Sequence, residues 1–367
     1  MRLALYSPDV PGAAGGVADH TLVLARALAA RGADVVVLAG RGEPARFAPI
    51  PCVVGVRPLA QHGTSLGDAL RAANADWVLV QYVPFLFARR GVAPALIAGL
   101  LAARRAGVHI ALFVHEPFVP FTRLPWLVTG IFQRAQLFAL LRMASLAYTA
   151  VPAWATLLRR WVLTRTPVRL APVGATLPRS ALTKADARTR LGLRESEVAI
   201  GVFGASASGF LVEWIVAARS ATAGVADVRW FLFGRSAPPV RTRLAGDGVT
   251  MLAEAAAADV SDTMAAMDIA LGPYVDGLTM RRTSAMLALS HGVATVSSSG
   301  PLFDVSLGAA ARCSATREAF VRDVEALVAD PQLRDALGAA GRVHYERGAS
   351  VEVLADLLLH DLKASST

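Results

Sequence analysis

Short apolar runs typical of buried strands alternate with helical segments along nearly the whole chain, and this alternation most constrains the fold. It begins with a strand at Leu3–Tyr6, a loop rich in glycine and proline, a helix that ends near Arg31, and a second strand at Asp34–Ala39. Strand, helix and strand in this order favour a parallel sheet covered by helices on both faces. The sequence therefore predicts an α/β fold.

The alternation is interrupted once, between residues 172 and 197, where prolines are followed by a stretch rich in charged side chains. Such a composition is typical of a linker between domains. The pattern then restarts with a strand at Val198–Phe203. We therefore predict two Rossmann-like parallel-sheet domains, residues 1–174 and 175–348, that face each other across a cleft, followed by a helical segment at 349–367. A cleft between two such domains is the usual place for a ligand.

The length of 367 residues and the hydrophobic content of 54% indicate a folded chain with enough apolar side chains for two cores. No uninterrupted apolar run reaches the roughly 20 residues that span a bilayer, and the segment before Pro8 is too short for a signal-peptide core. We therefore expect a cytoplasmic protein. The formal charge of +9 comes almost wholly from arginine, a bias for which the base composition of the gene is the preferred explanation. A basic surface would also favour anionic partners, such as sugar nucleotides or acidic lipids. Nucleic acid is disfavoured, because basic and aromatic residues do not interleave.

The loop after the first strand contains Gly12, Gly15 and Gly16, which do not match the G-x-G-x-x-G pattern of dinucleotide-binding folds. The second strand also ends in Ala39-Gly40 rather than in an acidic residue, so a nicotinamide dinucleotide is disfavoured. Gly15 and Gly16 instead predict a place where the backbone closely approaches a ligand. A plain tight turn is the alternative.

A histidine and a glutamate, His115 and Glu116, directly follow the apolar strand His109–Val114. In a parallel sheet they emerge at the same carboxyl edge as Gly15 and Gly16. This position favours a functional role for His115, although a single histidine in such a place is often only a hydrogen-bonded core residue.

A second candidate site follows the predicted strand Ile269–Tyr274, where a turn at Asp276-Gly277 leads into a helix predicted to begin near Thr279. Arg281 and Arg282 would then lie in the first turn of that helix. The amino end of a helix already carries partial positive charge and free N–H groups, so two cations there predict a bound anion. The sequence thus indicates a phosphate site. The alternative is that both arginines are solvated surface residues.

The segment Leu124–Met143 combines large apolar residues with arginines and is predicted to be an amphipathic helix. Such a helix could lie against the inner face of an acidic membrane, and nearby arginine pairs could extend the basic surface: Arg89-Arg90, Arg104-Arg105 and Arg159-Arg160. The alternative is an ordinary helix packed on the sheet.

Over nearly its whole length the chain resembles the retaining glycosyltransferases of the GT-B fold, close to family 4. The resemblance rests on the following residues in this order: Ser7-Pro8, Gly15-Gly16-Val17, Val114-His115-Glu116, Pro172-Val173-Gly174, Gly204, Phe233-Gly234, Asp276-Gly277 and His291-Gly292-Val293. It implies that the carboxy-terminal domain binds a nucleoside-diphosphate sugar, that the amino-terminal domain binds an acceptor, and that the last helix crosses back to the first domain.

Two departures from the family pattern stand out. The arginine and lysine that usually hold the diphosphate after the first strand of the second domain are missing, because Gly204–Phe210 contains neither. Of the family's two glutamates separated by seven residues, Asp276 can stand for the first, whereas we place Leu287 at the second. We therefore predict that Arg281 and Arg282 hold the diphosphate instead, with hydroxyl side chains and helix amides.

The resemblance and these departures together assign the site residues. His115 and Asp276 are predicted to contact the sugar hydroxyls in the catalytic step. Donor binding is assigned to Gly15, Gly16, Gly204, Ser206, Gly234, Arg235, Leu252, Gly277, Leu278, Thr279, Arg281, Arg282 and Thr283, and acceptor binding to Glu116 and Tyr82. The acceptor would be a glycan, a lipid-linked glycan or another glycoconjugate precursor, and we expect neither a metal nor a further cofactor.

Two other functions stay open at this point. The departures are compatible with a catalytically silent GT-B domain that binds a partner or an acceptor without turnover. The second open function is a sugar-nucleotide epimerase on the same two-domain plan. That reaction needs acid–base carboxylates, and the sequence offers no obvious pair beyond Glu116 and Asp276.

Overall fold

A computed structural model describes the chain except for residues 12–15, 60–62, 122–123, 162–165, 205–208, 226, 247, 253–255 and 366–367. The chain divides into two compact units. Unit 1 contains Met1–Pro172 together with Val351–Thr367, and unit 2 contains Val173–Ser350. Each unit is built on one large parallel sheet, so the predicted α/β fold with two parallel sheets is confirmed.

Unit 1 holds a seven-stranded sheet with the order β3-β2-β1-β6-β7-β8-β9, and β4 pairs separately with β5. The strands are β1 Arg2–Asp9, β2 Asp34–Arg41, β3 Cys52–Val54, β4 Val56–Arg57, β5 Thr64–Ser65, β6 Trp77–Tyr82, β7 His109–Val114, β8 Leu146–Thr149 and β9 Val168–Leu170. The helices that cover it are α1 Gly16–Ala30, α2 Leu66–Ala72, α3 Pro84–Phe87, α4 Pro94–Arg105, α5 Leu124–Met143 and α6 Pro152–Trp161. Every residue of β6 is buried, as expected for a central strand with helices on both faces.

Unit 2 holds a six-stranded sheet with the order β12-β11-β10-β13-β14-β15. Its strands are β10 Val198–Phe203, β11 Val228–Phe233, β12 Val249–Leu252, β13 Ile269–Gly272, β14 Ala294–Ser298 and β15 Arg312–Ser314. Its helices are α7 Lys184–Arg190, α8 Val212–Thr222, α9 Pro238–Leu244, α10 Ala257–Ala265, α11 Thr283–His291, α12 Arg317–Ala329 and α13 Pro331–His344.

The last helix, α14 Val351–Ala364, follows unit 2 in sequence but packs in unit 1. It lies against α1, and Arg31 of the segment after α1 pairs with Asp356, with 2.5 Å between Nε and Oδ1. None of the helices in the described part of the chain combines the length and the apolar character needed to cross a membrane.

The order of the strands marks one ligand-binding edge in each unit. In open α/β sheets ligands bind beyond the carboxyl ends of the strands, where the strand order reverses direction. This switch point lies between β1 and β6 in unit 1 and between β10 and β13 in unit 2. The segment that follows β13 contains Asp276, Arg281 and Arg282, so the topology places the predicted phosphate site at the switch point of unit 2.

Candidate functional site

The segment between β13 and α11 is a buried turn held by long-range hydrogen bonds. Leu278 donates its N–H to the carbonyl of Ser298 at 3.0 Å, and its own carbonyl accepts from Asp304 N–H at 2.9 Å. Gly277 has φ of +91°, and a Cβ added there would lie 2.5 Å from the backbone nitrogen of Gly300. Only glycine fits at this point, so the backbone of Gly277 and Leu278 is fixed against the end of β14.

The predicted start of the following helix is wrong. Helix α11 begins at Thr283 instead of near Thr279, so Arg282 is its N-cap residue and Arg281 precedes it. The reason is that Leu278, Thr279 and Met280 are buried, and the hydrogen bonds of this segment run to other parts of unit 2. The arginines therefore lie just before the first turn, beside the amide groups that have no acceptor within the helix.

Both arginines contact one carboxylate. The Asp276 carboxylate pairs with Arg281 through one oxygen and with Arg282 through the other. The three side chains are between 18% and 21% exposed, which contradicts the alternative of solvated surface arginines. The guanidinium carbon of Arg282 also lies 4.6 Å from the ring centroid of Tyr274. Two cations and one anion give the cluster a net positive charge and guanidinium donors that suit a phosphate.

Several predicted donor residues near this cluster are packed rather than accessible. Leu278 and Thr279 are fully buried, and the Thr279 hydroxyl has no hydrogen-bond partner among the described residues. The side chains of these two residues are therefore not accessible to a ligand, and the backbone N–H of Leu278 is already hydrogen-bonded to the Ser298 carbonyl. Thr283, the first residue of α11, is half-buried and stays a candidate.

The assignment of the second family carboxylate to Leu287 is wrong. A separation of seven residues from Asp276 leads to Ser284, whereas Leu287 is 1% exposed and belongs to the core. The Ser284 hydroxyl lies 2.7 Å from the Tyr274 hydroxyl. If the family pattern applies, a neutral serine lies at the position of the second glutamate, and Asp276 is the carboxylate that remains.

Three other predicted donor residues follow adjacent strands. Gly204 follows β10, Gly234 follows β11, and Leu252 ends β12, and the sheet register pairs Phe203 with Phe233 and Phe233 with Leu252. The topology thus brings these residues into a row at the carboxyl edge. Gly234 has φ of +72°, and a Cβ there would lie 2.4 Å from the Phe203 ring, so the fold itself requires this glycine.

The other donor residues predicted in this part of unit 2 have different surroundings. Arg235 is exposed, and Leu252 borders a cavity of about 380 Å³ between α7 and α10. Ser206 lies outside the described residues.

In unit 1, His115 follows β7 and is held by a buried amide. Its Nε2 lies 2.6 Å from Oε1 of Gln81, a fully buried residue of the neighbouring strand β6. The ring of His20, in α1, meets the His115 ring edge to face with 5.0 Å between centroids. Sequence reasoning missed Gln81 and His20. The signal for Gln81 was a single polar residue within an otherwise apolar strand.

The remaining unit 1 predictions have different outcomes. Tyr82 is fully buried, and its hydroxyl accepts from Gln136 Nε2 at 3.0 Å, so the prediction that its side chain binds an acceptor does not fit its position. Glu116 is exposed at the end of β7. Gly15 lies outside the described residues. Gly16 begins α1, and a Cβ there would meet no described atom within 4 Å, so the fold does not require glycine at this position.

Comparison with known proteins identifies the fold. No protein-family model matches the sequence, and no curated protein sequence matches it. Sucrose-phosphate synthase from Thermosynechococcus elongatus is 17% identical, with a TM-score of 0.72 and 99% of both chains covered. Anabaena HepE, solved with UDP-glucose, is 16% identical, with a TM-score of 0.68, covering 99% of this chain and 100% of HepE. WaaG, a glycosyltransferase involved in lipopolysaccharide biosynthesis, is 14% identical, with a TM-score of 0.67, covering 97% of this chain and 99% of WaaG.

These likenesses show that the chain has the GT-B fold, the architecture of the glycosyltransferases among its structural neighbours. The fold predicted from the motif order is therefore confirmed.

Proposed function

We propose that the protein is a glycosyltransferase that moves a sugar from a nucleoside-diphosphate sugar to an acceptor. The observation that carries the proposal is the pair of arginines, Arg281 and Arg282, at the switch point of a GT-B carboxy-terminal sheet. Donors of the kind bound by HepE carry two linked phosphates, and guanidinium groups in a partly dehydrated site bind such phosphates well.

The ion pairs of Asp276 give the proposed site a specific binding step. A diphosphate and the Asp276 carboxylate need the same guanidinium N–H groups, so the phosphates compete with Asp276. In the absence of donor, the carboxylate holds the two arginines in place. When the phosphates bind, Asp276 loses these partners and becomes available to the sugar hydroxyls. The same exchange thus links diphosphate binding by the arginines to sugar contact by Asp276, the two roles predicted for this cluster.

In the transfer itself, the bond between the sugar C1 and the diphosphate oxygen breaks, and an acceptor hydroxyl oxygen forms the new bond to C1. Negative charge develops on the leaving diphosphate, which takes up the proton that the acceptor hydroxyl loses. Positive groups placed before the reaction stabilise that charge most effectively. Arg281 and Arg282 supply this positive charge, so the proposed reaction does not require a metal ion. Retention of configuration is part of the proposal through the family resemblance. His115, oriented by Gln81, is the proposed contact to the sugar, and the exposed Glu116 is the proposed contact to a glycan or glycolipid acceptor.

A catalytically silent GT-B domain is the second candidate. The glycosyltransferases among the structural neighbours do not favour it, but two departures from the family pattern are compatible with it. Ser284 replaces the second carboxylate of the family, and the usual arginine and lysine are missing from Gly204–Phe210. Such a domain would bind nucleotide or acceptor without turnover.

A thermal-shift screen with UDP, GDP, dTDP and ADP tests the proposal, since a ligand that binds only the native state raises the melting temperature. We expect one nucleotide to raise it in the wild type and none to do so in the Arg281→Ala/Arg282→Ala double variant. The Arg281→Lys/Arg282→Lys variant keeps the charge, and Arg241→Ala removes an exposed arginine of α9 as a matched control. Calorimetry that shows equal nucleotide affinity in wild type and alanine variant would contradict the site, and binding without transfer or donor hydrolysis would favour the silent domain.

A further inference from the structure

Helix α5 has two glutamines on its buried side. Gln133 and Gln136 are 0% and 3% exposed, although they are among the few polar residues of the helix. Gln133 Oε1 accepts from Val119 N–H at 2.9 Å, and Gln136 Oε1 accepts from Ala93 N–H at 2.5 Å. The buried face therefore binds the backbone of neighbouring loops through these two amides, and it also packs Leu137 and Leu141 into the core of unit 1, as an ordinary helix on the sheet does.

The outer face of α5 is apolar and exposed. Leu124 is 80% exposed, and Val128, Ile131 and Phe132 are between 56% and 62% exposed. The spacing of these residues puts them on one stripe of the helix. Leu127 and Phe138 continue the stripe, at 38% and 39%. The solvent-facing side of a surface helix is normally polar, so an exposed apolar stripe of this kind indicates a partner that is itself apolar.

Neighbouring loops add to this surface. Phe121, 49% exposed, lies over Gly130, where an added Cβ would be 2.8 Å from the phenyl ring. The guanidinium carbon of Arg134 lies 3.7 Å from the Phe121 ring centroid and 3.8 Å from that of Phe118, which fixes this end of the helix. We call the exposed side chains of Phe121, Leu124, Leu127, Val128, Ile131, Phe132 and Phe138 the α5 apolar face.

The stretch of sequence that contains α5 is strongly basic. Residues 77–175 contain eleven arginines and a single acidic residue, Glu116, although the whole chain has a net charge of only +9. Arg89 and Arg90 are exposed on the loop whose carbonyls accept from the buried glutamines, and Arg142 is exposed in the last turn of α5. A second copy of the chain would bring the same arginines together and be repelled. An anionic lipid surface meets both the apolar and the positive groups.

We propose that the α5 apolar face inserts into the interfacial region of an anionic bilayer, with the helix axis in the plane of the membrane. The aliphatic and phenyl groups would reach the acyl boundary, and Arg89, Arg90 and Arg142 would pair with lipid phosphates. Arg159 and Arg160 lie on a different helix, α6, where Arg159 donates to the Val168 carbonyl, and the proposal does not rest on them. The inference goes beyond the proposed glycosyl transfer and does not depend on it.

Co-sedimentation of the full chain with lipid vesicles, without nucleotide, tests this surface. We expect binding to vesicles of phosphatidylcholine mixed with phosphatidylglycerol, and binding that weakens with salt and is much weaker with phosphatidylcholine alone. The Val128→Asp/Ile131→Asp variant changes two exposed positions and is expected to lower the partition coefficient about tenfold or more. Val305→Asp is the matched control, because Val305 is 81% exposed but belongs to unit 2.

A second variant separates the charge from the apolar contact. Arg89→Glu/Arg90→Glu is expected to reduce binding to the anionic vesicles and to flatten its salt dependence. The proposal is overturned if the wild type stays in the supernatant with anionic vesicles at low salt, or if the double aspartate variant sediments like the wild type. It is also overturned in favour of a self-association face if sedimentation equilibrium shows a wild-type dimer that this variant dissociates. Because no nucleotide is present, these outcomes leave the test of donor binding separate.

Discussion

The hydroxyl of Tyr148 in β8 donates a hydrogen bond of 3.1 Å to the carboxylate of Asp361 in α14, although the two residues are 213 positions apart. Asp361 is 1% exposed, and the same oxygen lies 3.1 Å from Nε of Arg169 in β9. Burial, and next the negative carboxylate, raise the pKa of the Tyr148 phenol. This buried contact ties the last helix to the sheet of unit 1.

Asp361→Ala is expected to lower the free energy of unfolding by about 1–3 kcal/mol, because it leaves the buried Tyr148 hydroxyl without its acceptor. Urea unfolding measures the loss. Asp356→Ala is the control on the same helix, since the Asp356 side chain is 67% exposed and its ion pair with Arg31 should contribute less than about 1 kcal/mol. Equal losses in the two variants would show that the buried contact does not anchor the helix.

Asp276→Asn is expected to strengthen the binding of the bare nucleoside diphosphate several-fold and to weaken sugar transfer. The change removes the anion that competes for Arg281 and Arg282, but it also removes the group proposed to contact the sugar. Calorimetry at two salt concentrations checks the first effect, and the affinity should depend more steeply on salt than in wild type. Asp335→Asn, on an exposed position of α13, makes the same change in net charge. Weaker nucleotide binding in Asp276→Asn would show that the carboxylate organises the arginines without competing with the ligand.

Gly277→Ala is expected to lower stability by more than about 1 kcal/mol, because its φ is +91° and the new Cβ would meet the backbone of Gly300 and Phe303. Gly16→Ala is the matched comparison, since a Cβ there meets no described atom within 4 Å. Thermal unfolding compares the two. If Gly16→Ala keeps its stability but binds nucleotide more weakly, the predicted close approach of backbone and ligand is supported. If Gly277→Ala melts like the wild type, the steric argument fails.

The stability of unit 2 is expected to fall as the pH drops below about 7, because burial lowers the pKa of His291. Its Nδ1 lies 2.8 Å from the Leu287 carbonyl, and its Nε2 accepts from Ser180 N–H at 3.0 Å, so the neutral ring fits the fold. The unfolded chain takes up the proton at the ordinary pKa of about 6.5 and the folded chain only at lower pH. The loss therefore begins near the ordinary pKa and is complete below the folded one.

Urea unfolding between about pH 7.5 and pH 5 measures this slope. His291→Gln should make the stability less dependent on pH, whereas His360→Gln, at an exposed position of α14, should not. An unchanged slope in His291→Gln would assign the pH dependence to other groups.

The sequence by itself determined the α/β class, the two sheets and the position of His115 at a carboxyl edge. Strands β7 and β10 have the predicted bounds, His109–Val114 and Val198–Phe203, and helix α5 has its predicted bounds of Leu124–Met143. These features follow from the spacing of apolar residues along a few turns or a single strand, which is local information.

Only the tertiary structure decided which side chains meet and which face of each element is buried. Hydrogen bonds from Leu278 to Ser298 and from Asp304 to Leu278 hold this segment outside the helix, so that α11 begins only at Thr283. In that arrangement Arg281 and Arg282 both donate to the Asp276 carboxylate. Likewise, the buried position of Gln136 is set by its hydrogen bonds to the Ala93 N–H and the Tyr82 hydroxyl, while apolar residues such as Leu124 and Val128 are exposed on another side of α5. Such contacts join residues far apart in sequence, so no local periodicity contains them.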